Sequence, residues 1–269
     1  MGVGLAILIA LGTMLWGLQA DAAPTKSRCL ICHTVHYAEQ GDCGSCHRGD
    51  GRTSRKQLAH SGLIRGKYAQ FTDPGAAMVL RGKRLAESTA CRRCHLLGTT
   101  GNRLASNLDT ALQNSRPEDI DRAITSPAFF MPHFHFSQHD RDALVTYILA
   151  AGLTAGKQAA EPPQVVHFDL LQTGRQTAFA KQCGGCHRLL SERYGGLGSN
   201  NDGPNLSGLF TRFYPATFQH SQHWTPERLK RWLKNPRAIR TQTMMRPLTL
   251  QPAEWDELLK SIGTSDPAP

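Results

Sequence analysis

The sequence predicts an all-α protein with two helical domains in tandem, preceded by a smaller irregular segment. An internal repeat predicts the two domains, and apolar residues at helical spacing predict the last helix of each copy. A polar, basic stretch without periodicity predicts the irregular segment. A length of 269 residues suits two or three domains. Only 7% of the residues are aromatic, which leaves room in the cores for a non-protein group.

The first residues predict a secretory signal peptide over residues 1–23. The run Gly2–Leu18 is apolar or small, and Ala20-Asp21-Ala22 has the small-x-small form of a cleavage site. No Lys or Arg precedes the run, so a misassigned start codon or retention of the segment as an anchor is the alternative. The run is short for a membrane span. We expect cleavage, a periplasmic or otherwise exported location on the extracellular side of the inner membrane, and no stable membrane span in the mature chain.

All eight cysteines fall into four copies of the pattern C-x-x-C-H. The cysteines are Cys29, Cys32, Cys43, Cys46, Cys91, Cys94, Cys183 and Cys186, and the histidines are His33, His47, His95 and His187. This pattern attaches c-type haem: the two thiols form thioethers with the haem vinyl groups, and the histidine becomes the proximal iron ligand. Disulfides would leave the histidines unexplained, and a zinc site built from the first four cysteines would leave the other two motifs unexplained. We therefore expect four covalently bound c-type haems.

The last two motifs head segments that repeat each other. Gly82–Cys91 aligns with Gly174–Cys183, and the interval from Pro117 to Pro127 equals that from Pro226 to Pro236. The repeat predicts two copies of one fold. The predicted organisation is a signal peptide at 1–23, a dihaem segment at 24–72, a first domain at 73–153, a linker at 154–165 and a second domain at 166–266.

Each copy is predicted to contain a helix before its motif, a short helix that begins at a proline, and a final helix. A proline costs nothing in the first turn of a helix, and the residue before a proline tends to end one. Thr225 is expected to cap the short helix of the second copy. The helices before the motifs are predicted at 75–89 and 168–182, and the final helices at about Asp140–Leu153 and Pro252–Ile262.

One methionine occupies the same place in both copies. Met131 lies thirteen residues before Leu144 and seventeen before Ile148 in the final helix of its copy. Met245 has the same spacing to Leu258 and Ile262, and Met244 does not. Thioether sulfur is a common sixth ligand of haem iron. We predict that Met131 and Met245 are axial ligands, and the alternative is that they only fill the core.

Residues 75–153 and 168–262 resemble class I c-type cytochrome domains, which are similar to mitochondrial cytochrome c. The shared features are a helix before C-x-x-C-H, a Met-Pro type of ligand loop and a final helix that packs on the first. In that family a proline carbonyl in a Gly-Pro-x-Leu loop accepts a hydrogen bond from the proximal histidine. Gly203–Leu206 matches that loop opposite His187, whereas Gly101–Leu104 has no proline and the last copy has Met-Arg-Pro. The resemblance implies two cytochrome c-like helical domains.

The N-terminal segment resembles the bis-histidine multihaem cytochromes of respiring bacteria, in which the form "CHTVH" is frequent. No methionine occurs between Ala23 and Asp73, so local ligands are expected from histidine. We assign His36 and His60 as distal ligands without pairing them with particular haems, and the alternative is that both are solvated surface side chains. Bis-histidine haems are expected at lower potential than histidine–methionine haems.

These expectations favour a periplasmic tetrahaem c-type cytochrome that relays single electrons between redox partners in a respiratory chain. The expected partners are membrane or soluble cytochromes and oxidoreductases, and assembly into a homo-oligomer or filament stays open. The formal charge is +10, which four haems would reduce to about +6, and no nucleic-acid partner is expected. The alternative is a haem enzyme that resembles dihaem cytochrome c peroxidase with one open haem site. Because both domains offer a methionine and no other catalytic residues stand out, the electron carrier is favoured.

Overall fold

A computed structural model describes residues 27–156 and 176–263. The predicted signal peptide, most of the predicted linker and the first part of the helix predicted at 168–182 lie outside these residues. Helices make up about half of the described residues, and the strands among them form one two-stranded antiparallel hairpin. Within the same residues, no helix has both the length and the hydropathy that a membrane span needs.

The segment over residues 27–63 has little regular structure. Its elements are the 3₁₀ helices Arg28–Ile31 and Ala38–Gln40 and the short helices α1 (Cys43–His47) and α2 (Lys56–Ala59). None of its residues whose burial is described is buried. Backbone hydrogen bonds hold the segment together, for example from Arg28 to Gly51 at 2.7 Å and from Asp50 to Ala59 at 2.9 Å. The segment therefore has no apolar core of its own.

The middle domain is built on two long helices. Its elements are a 3₁₀ helix (Gly66–Thr72), α3 (Ala77–Ser88), α4 (Ala111–Asn114), α5 (Pro117–Thr125) and α6 (Gln138–Ala155). Residues 143–152 of α6 are all buried, because α3, α4 and the 3₁₀ helix pack around them. Gly82 lies where α3 crosses α6, and a Cβ there would approach the carbonyl oxygen of Ala143 to 2.1 Å.

The core of the middle domain begins before the predicted boundary at residue 73. Ile64, Tyr68 and Phe71 are almost fully buried, and they pack in one cluster with Leu144 and Ile148 of α6. The 3₁₀ helix thus connects the irregular segment to the middle domain and packs into the core of that domain. Apolar packing crosses the predicted boundary at this point.

The last domain contains short helices and the hairpin. Its elements are α7 (Ala178–Gln182), β1 (Leu189–Ser191), β2 (Gly195–Leu197), α8 (Pro226–Lys234), α9 (Pro236–Ile239) and α10 (Pro252–Ile262). Helix α10 packs against α7, and Phe179, Leu258 and Ile262 are buried in the shared core. Leu189 pairs with Leu197 across the hairpin, which the all-α prediction did not contain.

The predicted helix starts and stops agree closely with the observed helices except before the last motif, where Thr177 caps α7 and the helix begins only at Ala178. Pro117 and Pro226 stand at the first position of α5 and α8, and the side chain of Thr225 accepts a hydrogen bond from the backbone N–H of Arg228. Helix α10 has the predicted bounds, and α6 extends two residues further at each end than predicted.

Candidate haem-binding sites

Each C-x-x-C-H motif forms a single helical turn. In three motifs the backbone N–H of the histidine donates to the carbonyl of the first cysteine, at 3.0 Å for His33, 3.0 Å for His95 and 2.9 Å for His187. The fourth motif lies within α1. All eight cysteines belong to the described residues, and none forms a disulfide. The turn leaves both thiols of each motif available for attachment of one group.

Three motif histidines are oriented by a backbone carbonyl. Nδ1 lies 3.0 Å from the carbonyl oxygen of Ile64 in His47, 2.7 Å from that of Ser106 in His95 and 2.8 Å from that of Pro204 in His187. Because a carbonyl oxygen only accepts, the proton of each ring belongs on Nδ1. Nε2 then keeps its lone pair for a metal, which is the usual arrangement of a ligating histidine.

The source of the carbonyl differs between the two repeats. Pro204 is the acceptor that the family resemblance implied for His187. In the middle domain the acceptor is Ser106, eleven residues after His95 and outside Gly101–Leu104. Sequence reasoning missed Ser106 and Ile64, because every residue carries a backbone carbonyl and only the fold selects one.

Glycines surround the last motif histidine. A Cβ at Gly203 would lie 2.2 Å from Cε1 of His187, and one at Gly198 would lie 2.0 Å from the His187 carbonyl oxygen. Gly198 also has a φ of +85°, a backbone conformation that favours glycine. The imidazole ring therefore fits only because Gly203 has no side chain, and the backbone of His187 fits only because Gly198 has none.

The cysteines that the structure describes are not grouped as a zinc site requires. Burial raises the pKa of Cys183 to about 11, and burial also raises the pKa values of Cys91 and Cys94. These groups are therefore neutral thiols at neutral pH while nothing is bound to them. Across the described residues, no three His, Cys, Asp or Glu side chains are grouped as a metal-ion site requires. A neutral thioether to haem suits these positions.

Desolvation also affects the histidine of the middle motif. It lowers the pKa of His95 although part of the residue surface is exposed, and the hydrogen bond to Ser106 opposes the change. The neutral imidazole is the form that binds a metal.

The irregular segment exposes the apolar surface that a haem would cover. Between residues 30 and 58 the exposed large apolar side chains are Leu30, Ile31, Val35, Tyr37 and Leu58. A covalently bound macrocycle would remove such surface from water and supply the core that the segment lacks. The residues of this segment therefore fit haem as the missing group.

The spare histidines of this segment lie beside its motif histidines. The ring centroids of His33 and His60 are 6.0 Å apart, and those of His36 and His47 are 5.8 Å apart. Outside the segment, Nε2 of His133 is 3.0 Å from the carbonyl oxygen of Thr125, which gives that histidine a local partner.

The two predicted methionines pack against their domain cores. Met131 is partly buried against the core of the middle domain, and Met245 against that of the last domain. Met244, which the repeat register rejected, is 90% exposed. The indole N–H of Trp232 donates to Sδ of Met245 at 2.9 Å. Their role as iron ligands stays a prediction.

The loops that carry these groups touch across the two domains. The guanidinium carbon of Arg188, which follows His187, lies 3.6 Å from the ring centroid of Phe129. The side-chain amide of Asn205 donates to the carbonyl of Phe130 at 2.8 Å, and Arg93 donates to the carbonyl of Asn205 at 3.3 Å. The contact thus joins three parts of the chain: Arg93 between the cysteines of the third motif, the loop of Pro204 and Asn205 beside His187, and the residues just before Met131.

Comparison with known proteins gives two matches along the chain. Residues 77–148 match the family described as cytochrome C oxidase, cbb3-type, subunit III, and residues 171–264 match the family described as cytochrome c. No curated protein and no solved structure matches the chain. Domains of this kind hold haem covalently through C-x-x-C-H and transfer electrons. The two matches, together with the oriented motif histidines, identify the chain as a c-type cytochrome.

Proposed function

We propose that the protein is a periplasmic tetrahaem cytochrome that relays single electrons between redox partners of a respiratory chain. The observation that carries the proposal is the orientation of the motif histidines. In His47, His95 and His187 a carbonyl holds the Nδ1 proton and leaves Nε2 free for iron. Such a fixed imidazole keeps its geometry in both oxidation states, which suits rapid electron transfer.

Bound haem iron supplies the one-electron chemistry. The two cysteines of each motif would hold one haem covalently, and the motif histidine would supply one ligand to its iron. The second ligand would come from a histidine in the irregular segment and from Met131 and Met245 in the two domains. Sulfur ligation raises the potential relative to bis-histidine ligation, so the chain would have a low-potential and a high-potential half.

The partners follow from the match and from the charge. The family that matches residues 77–148 is described as a subunit of a cbb3-type cytochrome c oxidase. We therefore propose that this chain exchanges electrons with components of respiratory complexes, namely membrane or soluble cytochromes and oxidoreductases. The formal charge of +10 before haem attachment favours acidic docking surfaces on those partners.

The first experiment is a haem count and low-temperature EPR of the oxidised protein, purified from the periplasmic fraction. We expect a mass that corresponds to the chain from about residue 24 with four haems, and four low-spin irons. A Cys183→Ala/Cys186→Ala variant is the matched control and should lose one haem. A substantial high-spin signal in the wild-type protein would contradict the relay and favour an open site of the peroxidase kind.

A potentiometric titration completes the test. The expected curve has two groups of midpoints, a low group for the irregular segment and a high group for the two domains. A single group of four equal midpoints would contradict the proposed division of the chain.

A further inference from the structure

The four histidines between residues 33 and 60 fall into two pairs. His33 pairs with His60, with ring centroids 6.0 Å apart and ring planes at 47°. His36 pairs with His47, with centroids 5.8 Å apart and planes at 87°. Each pair joins one motif histidine with one spare histidine. Neither pair combines the two spare histidines.

The separation within each pair matches two imidazoles on opposite sides of one iron. A metal–imidazole bond is about 2 Å long, and the ring centroid lies about 1 Å behind the nitrogen, so two such rings have centroids about 6 Å apart. In His47, Nδ1 is occupied by the carbonyl of Ile64 at 3.0 Å, so the free nitrogen is Nε2. The ring separation that shared ligation of one iron requires is therefore present in both pairs.

Backbone contacts hold His60 beside the first motif. The N–H of Arg28 donates to the carbonyl of Gly51 at 2.7 Å, and the N–H of Asp50 donates to the carbonyl of Ala59 at 2.9 Å. Residues 50 and 51 thus connect the start of the first motif with the residue before His60. A Cβ at Gly49 would lie 2.5 Å from the Ala59 carbonyl oxygen, and Gly49 has a φ of +74°, so only glycine permits this approach.

The position of His36 is set by the turn that follows it. Tyr37 adopts a left-handed backbone conformation with a φ of 49°, and its ring contacts the ring of His36 edge-on at 5.6 Å. The chain then returns through Ala38–Gln40 to the second motif, which begins at Cys43. This reversal brings the ring of His36 to His47.

We propose that the two N-terminal haems are cross-ligated within the segment. His60 completes the iron site of His33, and His36 completes the iron site of His47. The inference rests on the proposed function, since it assumes that both motifs carry haem. The stretch from His33 to His36 then supplies one ligand to each haem, which holds the two irons close together and makes the pair a single electron-exchanging unit.

The ring planes give each site its own spectroscopic signature. Perpendicular imidazole planes bring two iron d orbitals close to degeneracy and give a strongly anisotropic low-spin EPR signal, whereas planes at smaller angles split these orbitals and give a more rhombic signal. The His36–His47 site, at 87°, is expected to give the more anisotropic signal of the two.

The test uses the full chain with one motif disabled at a time. In the Cys43→Ala/Cys46→Ala protein, His60→Ala should convert one haem from low-spin to high-spin, and His36→Ala should leave the EPR spectrum unchanged. In the Cys29→Ala/Cys32→Ala protein, His36→Ala should convert one haem from low-spin to high-spin, and His60→Ala should leave the EPR spectrum unchanged. His139→Ala, an exposed histidine of α6, is the matched control and should change no haem signal. The proposal would be overturned if each remaining haem responded to the other histidine substitution, or if neither substitution changed the spin state of a haem.

A second measurement leaves all four motifs intact, so it can be made even if the cysteine variants fail to accumulate. In the four-haem protein, His36→Ala should remove the more anisotropic signal, and His60→Ala should remove the more rhombic one. Loss of the opposite signal in each case overturns the pairing. A haem count on the same samples separates the two proposals: fewer than four haems in the wild-type protein refutes the tetrahaem function, whereas four haems with wrong ligand sensitivities refutes only the pairing.

Discussion

The indole N–H of Trp232 donates a hydrogen bond to Sδ of Met245 at 2.9 Å. Trp232 is buried on α8, and Met245 packs partly buried against the same core. The hydrogen bond directs one sulfur lone pair toward the indole and leaves the other for an iron. Helix α8 therefore orients the predicted ligand and also withdraws electron density from it.

Trp232→Phe is expected to lower the midpoint potential of the last haem. Without the N–H, the sulfur donates more strongly to iron and stabilises the ferric state. A net hydrogen bond of about 0.5–1 kcal/mol corresponds to a shift of about 20–40 mV for a one-electron couple. Spectroelectrochemical titration measures it. The control is Trp224→Phe, since the indole of Trp224 donates to Thr217 instead. Equal potentials in the wild-type and Trp232→Phe proteins would contradict sulfur ligation by Met245.

The neighbouring methionines allow a direct ligand test. Met245→Ala should lower the potential of one haem by an amount on the order of 0.1 V, well within the span that axial ligands produce. It should also abolish the near-infrared charge-transfer band of one sulfur-ligated iron. Met244→Ala is the matched control, because that side chain is 90% exposed and touches no core. The reverse result would place the ligand at Met244.

Gly203→Ala should disturb the fourth haem. Its new Cβ would lie 2.2 Å from Cε1 of His187, so the ring or the loop must move. Overpacking of this kind costs about 1–3 kcal/mol. We expect a lower unfolding midpoint and a larger fraction of chains with three haems, measured by denaturant titration and intact mass. Gly185→Ala lies within the motif of the same haem and meets no atom within 4 Å, so it should behave as wild type. An undisturbed haem count and midpoint in Gly203→Ala would refute the close fit.

The helix bounds were predictable because their determinants are local. Proline at the start of α5 and α8, the Thr225 cap and the helical spacing in α10 all act within a few residues. The attachment motifs were predictable for the same reason, since one helical turn contains the whole pattern. Local chemistry thus explains most of the helix bounds. It also explains the part of each site that the C-x-x-C-H motif supplies, namely the two cysteines and the motif histidine.

The remaining features depend on contacts between distant residues. Strands β1 and β2 have three residues each, too few for an alternating pattern to be recognised in the sequence. Gly196 lies in β2 where a Cβ would meet the ring of Phe130 at 2.2 Å. The carbonyl of Ser106 and the pairing of His60 with His33 likewise arise from how loops fold back. A single sequence contains no local pattern for these contacts. Every residue carries a backbone carbonyl, and the residues that meet in the hairpin and in the histidine pair are brought together only by the fold.

Asp140 makes the packing of α6 on α3 sensitive to acid. The hydroxyl of Ser137 and then the guanidinium of Arg81 lower the pKa of its carboxyl by hydrogen bonding. A lowered folded pKa stabilises the fold at neutral pH, and that contribution disappears as the pH falls below about 4 toward the folded pKa. Urea unfolding measures the free energy of unfolding at pH 7 and pH 3. The free energy by which the wild type exceeds Asp140→Asn should therefore be larger at pH 7 than at pH 3. Equal differences at both values would refute the linkage.

Arg188→Ala should loosen the contact between the two cytochrome domains. The side chain stacks on Phe129 with 3.6 Å between guanidinium carbon and ring centroid, and it also donates to the Phe129 carbonyl. Loss of a cation–π contact and a charged hydrogen bond costs about 1–3 kcal/mol. Because Phe129 lies two residues before Met131 and Arg188 directly follows His187, the same substitution should slow electron exchange between the two haems.

Two measurements separate this effect from general destabilisation. Calorimetry should resolve the unfolding of the two domains into separate transitions in Arg188→Ala, and flash reduction should show a slower exchange phase at unchanged midpoint potentials. Arg193→Ala is the control, since its guanidinium lies over the ring of Tyr194 in its own domain. One cooperative transition with an unchanged exchange rate in Arg188→Ala would mean that the contact neither fixes the domains nor determines the distance between their haems.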